Sequence, residues 1–141
     1  MQVLFVCPHG AAKSVVGAAL LRDLSDQRNL DLTVSNRGTE PDDALNPSAL
    51  AAIQSRGLDH TEAPSLLTSR DIELADVVVS IGCTVEELPS RPDHLVEWSN
   101  VPDFSSDPDL ALDTLAHLIT ELADWIASRE RWLTAVRTSR V

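Results

Sequence analysis

The stretch Gln2-Val3-Leu4-Phe5-Val6-Cys7-Pro8-His9-Gly10-Ala11-Ala12-Lys13-Ser14 decides the fold. Residues 2–6 are nearly all apolar and β-prone, and the run has the length of a strand buried on both faces of a parallel sheet. A loop of small residues follows. Beyond it, apolar side chains at Val15, Val16, Ala19, Leu20 and Leu24 form a helical stripe. Strand, short loop and helix in direct succession open an α/β unit, and in an open α/β sheet ligands bind beyond the carboxyl ends of the strands.

Working outward, residues 31–36 read as a second strand, with Leu32 and Val34 on one face, and Asn36-Arg37-Gly38-Thr39 as the turn after it. Pro47 suits the first turn of a helix over 47–56, with Asn46 as N-cap and Gly57 as C-cap. Residues 58–68 look irregular. A short helix over 69–74 has Ser69 as its expected cap. Residues 76–81 hold Val77-Val78-Val79, a buried strand, and 94–98 suit a fourth strand. Asp107 and Pro108 start a last helix whose apolar face is expected to be Leu115, Leu118, Ile119, Leu122, Trp125 and Ile126. Trp132 falls on the same stripe, and His117 is expected at the surface. Strands alternating with helices predict an α/β fold of three layers, a parallel sheet with helices on both faces.

The 141 residues suit one domain, expected over 1–134, followed by a polar C-terminal tail at 135–141. No apolar run approaches the roughly 20 residues of a membrane span. The short apolar stretch Val3 to Val6 lacks the pattern of a signal peptide, so a cytoplasmic protein without membrane contact is expected. The formal net charge of −11 argues against nucleic acid as a partner, because phosphate backbones reward clustered Lys and Arg. It also obliges any anion site to work through local dipoles and a local cation. Two cysteines, Cys7 and Cys83, make no disulfide scaffold, and with four scattered histidines they make no metal site.

Such a local arrangement is available in the first loop. Backbone N–H groups of residues 8–14, Pro8 excepted, can surround a tetrahedral oxyanion, and a helix N-terminus adds positive potential. Gly10, Ala11 and Ala12 let the anion approach the backbone. The same dipole favours the thiolate of Cys7, Ser14 is placed to donate to it, and Lys13 supplies a full charge. Lys13 is the only lysine in a chain with ten arginines. The bare pattern leaves a second reading open: Cys7 as an ordinary packed thiol at a strand end.

The stretch Val3 to Ser14 strongly resembles the start of low-molecular-weight protein tyrosine phosphatases and of the arsenate reductases that share their fold. In that family a strand leads into Cys, five residues, Arg and Ser. His9 and the Ala11-Ala12 pair look more like the reductase branch. Ser35-Asn36-Arg37-Gly38-Thr39, Asn46-Pro47, Ala75-Asp76-Val77-Val78-Val79, Gly82-Cys83 and Trp98 through Asp103 extend the resemblance. It implies four parallel strands in the order 2-1-3-4. It also implies Cys7 as the nucleophile on phosphorus or arsenic, the amides from His9 to Ser14 as the oxyanion cradle, and Asp103 as the general acid. On sequence alone Asp103 is one loop acid among several. Cys83 resembles the first of two later cysteines with which thioredoxin-coupled reductases resolve an oxidised nucleophile. A Cys7–Cys83 disulfide then requires Cα atoms within about 7 Å. The plainer reading of Cys83 is an inert packed thiol.

Three residues depart from the family pattern. Lys13 stands for Arg and offers a point charge in place of a two-pronged grip. Gly10 stands for an Asn that ties the loop, which predicts a looser cradle. Glu86, Glu87 and Leu88 occupy the place of the second resolving cysteine, which rules out a relay of three thiols. An arsenate reductase is the first expectation: a small thiol or Cys83 releases the adduct on Cys7, and an external reductant, thioredoxin-like or a thiol of low molecular weight, restores the enzyme, with no bound cofactor. A phosphomonoester or protein tyrosine phosphatase is the second. A non-catalytic oxyanion or redox sensor with an altered loop is the third.

Overall fold

The computed structural model describes residues 1–60 and 62–139, with side chains as far as Arg129. Four strands, β1 (Gln2–Cys7), β2 (Thr33–Gly38), β3 (Val77–Ile81) and β4 (Leu95–Trp98), lie parallel in the order β2-β1-β3-β4. The four helices are α1 (Lys13–Arg28), α2 (Pro47–Gln54), α3 (Ser69–Leu74) and α4 (Pro108–Ser139), with a 3₁₀ turn at Val85–Glu87.

Alternation along β1 sorts the core. Val3, Phe5 and Cys7 pack with α1, α2 and α4, while Leu4 and Val6 pack on the other face with Leu67, Ile72, Leu88 and Cys83. Helix α1 is buried on most sides because it packs on β1, β2, α2 and α4 together. Gly17 lies against the Phe5 ring, where a Cβ would stand 3.1 Å from it.

Four expectations need correction. The second strand does not end at residue 36. It runs through Gly38 because Phe5, Val6 and Cys7 give Asn36, Arg37 and Gly38 parallel partners. The cap of α3 is Thr68 and not Ser69: the Thr68 hydroxyl oxygen accepts from the Asp71 amide, and Asp71 accepts from the Thr68 amide. Helix α2 ends at Gln54, and Gly57 takes its positive φ of 73° one turn later, where the Leu58 amide returns to the Ile53 carbonyl. Trp125 is 42% exposed, with the Arg129 guanidinium 5.5 Å from its ring centre, while Ala123 fills the buried position.

Asn46 caps α2 and Asp107 caps α4, as their positions predict. His117 lies at the surface beside Glu121. The backbone of α4 continues past residue 134 to Ser139; Arg140, Val141 and the side chain of Trp132 lie outside the described residues. Among the described residues no helix is long and apolar enough to cross a membrane.

Candidate active site

The sheet delivers Cys7 to its carboxyl edge as the last residue of β1, paired with Gly38. From there the chain turns through residues 8–12 into α1. Its shape is fixed by one neighbouring segment. The amides of Thr39, Glu40, Asp42 and Asn46 donate to the carbonyls of Cys7, Pro8, His9 and Ala11, at 3.3, 2.7, 3.0 and 2.9 Å. Those carbonyls are thereby committed to the 39–46 segment.

Gly10 holds φ at +60°, and its backbone meets Gly38 so closely that a Cβ on either residue would come within 3.0 Å of the other's backbone. The glycine at the position of the family Asn is therefore a packing requirement of this loop. The looser cradle expected from that exchange is not what the geometry shows: four amide bonds and a glycine–glycine contact hold it.

Cys7 is 3% exposed, and its Sγ lies 3.0 Å from the Ser14 Oγ in a buried hydrogen bond. A thiolate there would accept a hydrogen bond from the Ser14 hydroxyl. Ser14 itself is fully buried in the first turn of α1, which fixes the contact. A cavity of about 360 Å³ opens above the sulfur and is lined by Cys7, His9, Ala12, Lys13, Asp42 and Asp103 among others. Lys13 and Asp103, ninety residues apart, meet there with Nζ 3.0 Å from Oδ1. Asp103 is held by the turn in which the Ser106 and Asp107 amides donate to its carbonyl, and by the burial of its neighbour Phe104 in the core. In the lining of the same cavity His9 Nδ1 lies 3.1 Å from Asp42 Oδ1. Asn46 spans the two walls, its Nδ2 donating to Ser105 Oγ at 3.1 Å.

The expected residues Cys7, Pro8, His9, Ala11, Ala12, Lys13 and Asp103 all line this one cavity, and Gly10 and Ser14 shape it from behind. Cys83 is not among them. It is buried in the cluster of Leu4 and Val6 and lines a neighbouring hollow with Ser80, Thr84 and Trp98; Gly82 borders both. Burial, reinforced by Cys7 and Glu87, pushes the Cys83 thiol up to about 11, against the opposing hydrogen bonds of Thr39 and Ser80. Both cysteines are free. Sequence reasoning missed Thr39, Asp42, Asn46 and Ser105. The Asn46 cap was readable, but its reach to Ser105 depends on a contact 59 residues away.

The parallel α/β sheet thus presents a buried thiol in a cavity that also holds Lys13 and Asp103. The comparisons with known proteins narrow the class. The family model of low molecular weight phosphotyrosine protein phosphatase matches residues 2–92, and the chain belongs to that family. A Halobacterium salinarum protein described as "Putative arsenate reductase" is 26% identical over 108 residues, 74% of this chain and 72% of that one. The thioredoxin-dependent arsenate reductase Cg_ArsC1' of Corynebacterium glutamicum superposes with a TM-score of 0.75 at 27% identity, over 91% of this chain and 62% of that one. The YwlE arginine phosphatase of Geobacillus stearothermophilus superposes with a TM-score of 0.78 at 21% identity, over 92% and 94% of the two chains.

Proposed function

We propose that this chain is an arsenate reductase in which Cys7 is the nucleophile and an external thiol completes the cycle. The observation that carries the reading is the buried Cys7 Sγ, 3.0 Å from the Ser14 hydroxyl at the floor of the loop cavity. The relatives from H. salinarum and C. glutamicum support arsenate over other oxyanions.

In the first step the Cys7 thiolate attacks the arsenic of dihydrogen arsenate. A sulfur–arsenic bond forms, an arsenic–oxygen bond breaks, and the hydroxyl leaves as water after taking one proton from solvent at the open mouth of the cavity. The loop amides and Lys13 hold the remaining oxygens. In the second step an external thiolate attacks the Cys7 sulfur, the sulfur–arsenic electron pair stays on arsenic, and arsenite departs. A second equivalent of thiol then reduces the mixed disulfide on Cys7, so two thiols are oxidised as As(V) becomes As(III). An external thiol is favoured as the attacking group because burial pushes the Cys83 thiol up to about 11, which lowers its thiolate content at neutral pH.

The phosphatase reading keeps the same first half: Cys7 attacks phosphorus and Asp103, in the same cavity, serves the leaving oxygen. The sensor reading gains no support from these relatives, and one of its two grounds disappears once Gly10 is explained by the Gly38 contact.

Arsenate supplied with thioredoxin and its reductase, or with a small thiol, is expected to yield arsenite at a rate abolished by Cys7→Ser and retained by Cys83→Ser. Release of phenol from an aryl phosphate without arsenite formation replaces the reductase reading by the phosphatase one.

A further inference from the structure

Oxyanion binding at the Cys7 cavity has a competitor already in place. We propose that Asp103 is a built-in counter-anion: its carboxylate occupies Lys13 in the free protein, and an incoming oxyanion must displace it to gain the cation. The proposal rests on the oxyanion reading of this cavity and gives Asp103 a role in binding that precedes any proton transfer.

The geometry is explicit. Lys13 Nζ sits 3.0 Å from Asp103 Oδ1, and both residues line the cavity above Cys7. The Lys13 side chain is only 20% exposed, so its stem is fixed along the wall, whereas the Asp103 side chain is 72% exposed and free to swing away. An exposed carboxylate on a partly buried ammonium is the weaker-held partner of the two. Arg at position 13 would change the contest. A guanidinium presents five donors in a planar fork and can hold two anions on separate edges, whereas an ammonium is a compact point charge. With lysine, carboxylate and oxyanion compete for the same centre. This makes the lysine and Asp103 a functional pair that the sequence, with 89 residues between them, does not display.

The second ion pair on the rim provides the control. His9 and Asp42 are 3.1 Å apart on the same cavity, and both are more than half exposed. Removing the Asp42 charge makes the mouth less negative by the same unit without touching Lys13. A gain due only to relief of general repulsion is therefore shared by both carboxylates, while displacement from Lys13 is confined to one.

Calorimetric titration of the full chain with inorganic phosphate at pH 7.5 tests this. Asp103→Asn is expected to bind phosphate about three- to fivefold more tightly than the parent, the upper part of what an exposed ion pair carries. Asp42→Asn should gain less than about twofold, as expected of a screened surface charge. In a Lys13→Ala background the gain from Asp103→Asn should vanish, and in Lys13→Arg it should shrink. Equal gains for the two aspartates, no gain for Asp103→Asn, or a gain that survives Lys13→Ala overturns the proposal. If no variant binds phosphate, the oxyanion reading of the cavity falls, and the proposal with it. Near-UV circular dichroism matched to the parent confirms that each variant is folded.

Discussion

A Cβ added at Gly10 would stand 2.9 Å from the Gly38 nitrogen, in a residue whose φ is already +60°. Gly10→Ala is therefore expected to cost about 1–3 kcal/mol from the left-handed backbone alone, and more from the clash. Chemical denaturation measures that loss, and phosphate titration should show that the anion site is lost with it. A tolerated Gly10→Ala would mean that the loop is held some other way. At this scale the sequence was generous where the site is contiguous. Cys7, Lys13 and Ser14 follow one strand within eight residues, and a strand end plus a helix start leaves few places for them to be. It was silent on Asp42, because an exposed loop acid reads the same whether or not a histidine sits 3.1 Å away.

Among the elements, the segment between β2 and α2 matters most. Its amides tie down the carbonyls of the first loop, and Asn46 at its end does two jobs: the side-chain oxygen accepts from the Ser48 and Ala49 amides, and the nitrogen reaches Ser105. Asn46→Ala is expected to destabilise the protein by about 1 kcal/mol through loss of the cap, a fall in Tm of roughly 2–4 °C for a chain of this size. Ser105→Ala removes the partner of Asn46 Nδ2 and leaves the cap oxygen in place, so it should keep most of that stability. Thermal melts of the two variants separate the roles, and equal losses would show that the Ser105 contact, not the cap, is the stabilising part. The same segment marks where sequence patterning failed. Asn36-Arg37-Gly38-Thr39 carries turn-forming residues, yet pairing with Phe5, Val6 and Cys7 of β1 extends β2 through Gly38. Strand pairing outweighed local propensity there, as it does wherever a ladder partner is available. The caps of α2 and α4 were readable because their partners lie two or three residues away.

For the molecule as a whole, the two thiols belong to two packed clusters, Cys7 with Phe5 and Val15, Cys83 with Leu4 and Val6. They stay within electrostatic reach of each other, and Thr39 bonds both the Cys83 thiol and the Cys7 carbonyl. The burial of Cys83 has a pH signature. The Cys83 thiol is raised from its usual 9.0 to about 11 in the folded protein, chiefly by burial. Between those values the unfolded chain releases a proton that the folded chain retains, which favours unfolding. The stability from this group is therefore complete below about pH 9 and is lost as pH rises toward 11. Denaturation midpoints of Cys83→Ala should lack that part of the alkaline decline, and an identical decline in the variant would count against a buried, protonated Cys83. The four-stranded order and the layers were foreseeable from alternating strand and helix patterns and the family resemblance. The packing of the two cysteines in different clusters was not, because it depends on how the chain turns after β3 at Gly82, where φ is +78°.

Differential alkylation bears most directly on the claim that the first loop wraps an oxyanion over a reactive sulfur. The protein is treated with iodoacetamide at pH 7.5, with and without inorganic phosphate or arsenate, and the Cys7 and Cys83 peptides are quantified by mass spectrometry over time. Cys7, which lines the open cavity, should react at least about tenfold faster than Cys83, whose thiol burial pushes up to about 11, and the oxyanion should slow Cys7 alone. Equal rates for the two cysteines, or a Cys7 rate indifferent to saturating oxyanion, would contradict the account.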